Sequence, residues 1–215
     1  MARLRTLYVY TLIGLLTVFS MASPCVASIS LDLKAGIQTL NNPLTLKDTT
    51  RTRYEVELAG TTPISDNLEI CLGFGGASVS TVKDTYTTYD DYGMIQETLE
   101  DKFRTYDLRL GVRLYAISPE KEGSIHPYVG GGVGYYWMVD DWKDTYLQTN
   151  PNLKTEDDGN YTLAEGLFPY VIAGVDIPIT DQAALLFEYK HDFQKTKDGA
   201  DYGGDIFTAG LRIRW

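Results

Sequence analysis

Few residues in this sequence have types and spacings that suggest reaction chemistry. His126 and His191 are the imidazole bases. A base acts only with a nucleophile in hydrogen-bond reach. No serine lies close to His191 in sequence, and the nearest acid before it is Glu188. The glycine run at 130–134 lacks the GxxxxGK[ST] of a phosphate loop, and no helical pattern follows it. Asp140, Asp141 and Asp144, and then Glu156, Asp157 and Asp158, are clusters that could hold calcium, but neither has EF-hand spacing. Cys71 has no cysteine partner beyond the N-terminal stretch and reads as a small buried filler. No catalytic, cofactor-binding or metal-binding residue is assigned. The net charge of −10 argues against a nucleic-acid partner.

A different set of titratable residues is spread along the chain at every second position. It comprises Glu55, Glu57, Glu69, Asp107, Asp176 and Glu188, with Arg109, Arg113, Lys190, Arg212 and Arg214. Asp32, Lys34 and Arg53 fall in the same phase, and with them acids and bases balance. Such a set suits ion pairing rather than catalysis. It predicts a charge network in a lumen narrow enough for side chains to fill, where a buried charge without a partner is costly. Much of the rest of this phase is glycine, which predicts long charged side chains crossing above it.

The elements that carry these residues alternate with period two, as strands do. Eight segments show it: 29–40, 53–61, 68–80, 103–115, 127–138, 167–178, 183–193 and 205–215. Each is about as long as a tilted membrane-spanning strand. Short connections carrying Pro and Asp alternate with long, polar, Tyr-rich ones at 41–52, 81–102, 139–166 and 194–204. The long connections carry the negative charge. Pro63-Ile64-Ser65-Asp66-Asn67 and Pro178-Ile179-Thr180-Asp181-Gln182 form a weak internal repeat, as two hairpins of one barrel would. Tyr54, Tyr106, Tyr135, Trp137, Tyr189 and Trp215 read as interfacial girdles.

The N-terminus adds a direction of travel. Arg3 and Arg5 precede an apolar stretch, and Cys25-Val26-Ala27 offers a cleavage site before Ser28. The expected organisation is a signal peptide over 1–27 and a β-barrel domain over 28–215. The fold class is all-β: an eight-stranded antiparallel up-and-down transmembrane β-barrel preceded by a signal peptide. The last strand closes on Phe207, Ala209, Leu211, Ile213 and Trp215, an alternation ending in an aromatic residue. It resembles the C-terminal signal read by the outer-membrane insertion machinery.

Three stretches carry a family resemblance: Pro127-Tyr128-Val129-Gly130-Gly131-Gly132-Val133-Gly134-Tyr135, Ala173-Gly174-Val175-Asp176-Ile177-Pro178 and Phe187-Glu188-Tyr189-Lys190-His191. With the strand ending in Trp215, they resemble the OmpA/OmpX-like outer-membrane β-barrels. Trp in place of the commoner terminal Phe is a departure from that pattern. The resemblance implies export through the periplasm to the outer membrane, and no peptidoglycan-binding domain is expected after the barrel. The expected function is a non-enzymatic barrel presenting acidic surface loops for envelope structure or surface interaction. The alternatives are a narrow porin-like channel and a lipid-A-modifying enzyme with His191 at its site. Expected partners are outer-membrane lipid and lipopolysaccharide, the barrel-assembly machinery and an unidentified extracellular ligand, with the barrel a monomer.

Overall fold

A computed structural model of the chain describes residues 29–42, 52–90, 93–119, 124–149, 152–193, 195–197 and 200–215. The expected signal peptide lies outside them. The strands are β1 (Ser30–Asn42), β2 (Thr52–Ser65), β3 (Leu68–Asp90), β4 (Gly93–Tyr115), β5 (His126–Thr149), β6 (Asn152–Thr180), β7 (Ala183–Asp192), β8 (Thr196–Lys197) and β9 (Ala200–Arg214). From β1 to β7 each strand pairs antiparallel with the next, β7 pairs with β9, and β9 returns to β1. The two-residue β8 only extends β9 at one rim. The other strands close an eight-stranded up-and-down barrel, and closure leaves no free edge around it. Trp215 N donates to Ile29 O at 3.0 Å, sealing the seam beside the last residue.

Period two sets the two faces of this wall. Along β2, Arg53, Glu55 and Glu57 are buried, whereas Tyr54 is 76% and Val56 55% exposed. The same inversion runs around the barrel: Leu33, Leu110, Val133, Phe187 and Phe207 face outward while the charged phase is enclosed. A continuous apolar belt over an ionic core would be a large exposed patch in water. In a bilayer it is the lipid-facing surface, and the closed sheet satisfies every backbone group it carries through the hydrocarbon.

The two halves of the sequence repeat occupy equivalent short turns. Pairing shifts between Pro63 and Ser65 in one, and between Pro178 and Thr180 in the other. Each proline, lacking an N–H, sits at the bulge, and the residue after it, Ile64 or Ile179, is turned outward. Thr180 then caps its turn, its hydroxyl accepting from Ala183 N at 3.0 Å. Asn67 pins the end of β4 by accepting from Tyr115 N and donating to Tyr115 O.

On the other side the structure departs from the sequence reading. The stretches expected as long loops at 81–102 and 139–166 are strand through most of their length, and β3 to β6 continue well past the membrane-spanning part. A spanning strand needs roughly 9–11 residues, so the surplus in β3 to β6 stands clear of the bilayer as a sheet extension. Thr85, Thr87, Thr88, Tyr86 and Tyr89 supply its β propensity. Its hairpin turns where Asp90 pairs Gly93, which has a left-handed φ of 114°. The expected loop at 41–52 lies outside the described residues except at its ends.

Candidate functional site

The charged side chains of the lumen, Arg53 apart, form one unbroken chain of contacts. At the short-turn end, Arg214 reaches Asp176 at 3.3 Å, and Arg212 Nη1 reaches the same carboxylate at 2.5 Å. Arg212 Nε and Arg113 Nη1 clasp the two oxygens of Asp32 at 2.7 and 2.6 Å. Arg113 Nη2 donates to Glu188 at 3.0 Å, and Lys34 bridges Glu188 at 2.7 Å to Glu57 at 2.5 Å. Lys190 binds Glu57 and, at 3.2 Å, Glu55. Arg109 then joins Glu55 at 3.4 Å, Asp107 at 2.8 Å and Asp192 at 3.1 Å. Lys195 ends the series on Asp192 at 2.7 Å. Glu69 enters from the side, 3.4 Å from Arg212 and 3.1 Å from the Tyr115 hydroxyl. Apart from Arg53, whose Nη1 donates to the Thr105 hydroxyl at 2.8 Å, the charged residues expected from the sequence to share the lumen lie on this chain.

Two charged members of this chain, Asp192 and Lys195, are not among those expected from the sequence. Asp192 shares the phase of Glu188 and Lys190, so the alternation could have included it. No local pattern foretells that the segment after β7 folds inward. Its Lys195 is only 1% exposed and sits 4.0 Å above the Phe168 ring. Arg113 lies 5.0 Å over Tyr128, and Arg109 sits between Phe168 and Tyr170. These rings correct the expectation about glycine. A Cβ at Gly134 would meet the Phe168 ring at 2.3 Å, and one at Gly111 the Tyr170 hydroxyl at 2.3 Å. At these two positions an aromatic ring, not a charged chain, needs the space. Acids do lie over Gly73 and Gly75, contributed by Glu57 and Asp107.

A cavity of about 20 Å³ remains beside Cys71, Arg113 and Glu188, room for roughly one water. Phe207, Ala209, Leu211 and Ile213 face outward on β9, and Trp215 just after it is exposed. His191 also faces outward near the long-hairpin rim. Its Nδ1 lies 2.8 Å from Asp205 Oδ1, which accepts from the Tyr189 hydroxyl at 2.6 Å. Across the strands its register neighbours are Val171 and Asp205, neither a serine nor a cysteine. His126 begins β5 and is buried.

Comparison with known proteins agrees with this architecture. The family model described as outer membrane protein beta-barrel domain matches residues 11–214. Among solved structures, neisserial surface protein A is similar at a TM-score of 0.52 and 10% identity, over 87% of this chain and 97% of that one. OprG from Pseudomonas aeruginosa is similar at 0.50 and 8% identity, over 88% and 96%. At such identities the likeness concerns the fold alone. No curated protein matches the chain in sequence. An inverted barrel, an apolar belt and a family match over nearly the whole length lead to one conclusion: the chain belongs to the outer membrane protein beta-barrel domain family and resides in the outer membrane.

Proposed function

We propose that this barrel is a non-enzymatic, non-conducting anchor in the outer membrane that holds an acidic β-sheet extension at the cell surface for contact with an extracellular partner. One observation carries the reading: paired charged side chains run without a break from Arg214 to Lys195 along the lumen, and the cavity beside Cys71 among them is about 20 Å³. An ion crossing the barrel would have to displace paired side chains in a low-dielectric interior, and separating such pairs is costly. The lipid-facing belt contacts outer-membrane lipid and lipopolysaccharide. The strand ending in Trp215 serves as the signal for the barrel-assembly machinery, and a closed barrel with no free edge works as a monomer.

Single-channel recording of the chain from Ser28 onward, folded in a planar bilayer, tests this reading. Silence from a folded barrel is the expected result. Stable unitary steps that change with Arg109→Ala would replace the anchor with a narrow pore.

A further inference from the structure

The sheet extension has two unlike faces. Opposed residues of antiparallel strands share a face, so the register sorts its side chains. On the face continuing the barrel's outer wall, the row Lys83, Glu100, Lys143, Asp158 alternates in sign across β3, β4, β5 and β6. Further pairs reinforce it: Arg104 to Asp141 at 2.9 Å, Lys102 to Glu100 at 2.9 Å and Lys143 to Glu156 at 3.2 Å. One step along, the face continuing the lumen wall carries the row Asp84, Leu99, Asp144, Asp157. Glu97, Asp101 and Asp140 are on this face too, and no Lys or Arg joins them among the described residues. Tyr86, Phe103, Trp142, Tyr146 and Tyr161 are interleaved with the acids.

Like charges directly opposite one another weaken a sheet, yet Asp144 faces Asp157 with no base between them. At the foot of the face Asp140 is only 3% exposed, and its Oδ1 has no hydrogen-bond partner. Asp144 Oδ1 is likewise buried and unpartnered. Burial and the neighbouring acids Asp101 and Asp141 push the Asp140 carboxyl up, against the Tyr161 hydroxyl bonded to it. The outward face, by contrast, neutralises itself. We infer that the lumen-side face of the extension is a docking surface for a basic polypeptide segment, whose Lys and Arg side chains supply the missing charge and lie against the exposed rings. Carboxylates and aromatic faces placed together are what guanidinium and ammonium groups bind. The inference rests on the surface-contact reading above and names its partner class.

The test uses fluorescein-labelled nona-arginine and the folded chain in nanodiscs of zwitterionic lipid, at physiological salt. The peptide is expected to bind. Asp101→Asn with Asp144→Asn should weaken it about tenfold, and Tyr86→Ser should weaken it severalfold with no change in charge. Glu100→Gln with Glu156→Gln, an equal charge change on the other face, should alter it less than about twofold. Equal weakening by the two charge-matched variants would overturn the inference, because only the general field would then be acting. Calcium binding to a face that leaves the peptide free would overturn it as well. Conductance of the same folded protein in a planar bilayer separates the two proposals. A silent barrel that ignores the peptide removes the docking face alone, and a conducting barrel that binds it face-selectively removes the sealed lumen alone.

Discussion

Arg212 shows most clearly what each charged residue contributes. Its guanidinium spends its donors on Asp32, on Asp176 and on the Tyr115 hydroxyl, and it is completely buried. The attraction between such groups largely offsets the cost of taking them out of water, so the intact set adds little net stability. Removing one member is another matter, because the rest stay buried without it. Arg212→Met should cost about 3–5 kcal/mol through the stranded Asp32 and Asp176, and Glu188→Ala should act in the same direction through Arg113 and Lys34. Urea unfolding in lipid vesicles measures both. The period-two phase made these residues readable from sequence, since alternation alone puts Glu55, Glu57, Arg109 and Arg113 on one side of the wall. Which acid meets which base was not readable. Arg212 and Asp32 face each other across the closing seam, whereas Lys34 reaches Glu188 over the intervening strand β9, and such meetings depend on how the closed sheet is staggered.

At the level of elements, the proline bulges and the surface extension illustrate opposite limits of sequence reading. The Pro63 and Pro178 turns were visible as a repeat because proline's missing donor has one kind of place in a sheet. The strands above the membrane were not visible. Their acids and lysines look like loop composition until the register shows them sorted onto two faces. From Thr81 to Asp90 on β3 and from Asn152 on β6, these strands form sheet edges without a described strand partner. Their many charged side chains oppose edge-to-edge pairing. The extension also carries a pH dependence of definite sign. Burial, and then Asp84, raises the Asp101 carboxyl, and Asp140 is raised as well. A raised folded value contributes stability that is fully present below the unfolded pKa of about 4 and is lost as pH rises through the folded value. The extension should therefore melt at a higher temperature in mild acid than at neutrality. Asp140→Asn should raise the neutral melting temperature and shrink that difference. Fluorescence melting of a variant retaining Trp142 as its single tryptophan reads both, and a difference that Asp140→Asn leaves untouched would assign the effect elsewhere.

Across the whole molecule, the fold separates two kinds of charge. Within the membrane each acid has a base, and the barrel needs that balance because its interior is narrow and closed. Above the membrane, one face of the extension is left acidic, and a partner can act there without disturbing the wall. Lys195 and Asp192 pair at the end of the lumenal series nearer the extension. Cys71 is placed to test whether the lumen is sealed. Its thiol is buried at the edge of the small central cavity, beside Arg113 and Glu188. In the chain from Ser28 onward it is the only cysteine. Its reaction with a small charged methanethiosulfonate, measured by mass in folded and urea-unfolded samples, reports directly on access. Protection in the folded barrel, with full labelling after unfolding, is the result expected of a filled lumen. Rapid labelling of the folded barrel would mean that water and ions reach its centre, and would contradict it.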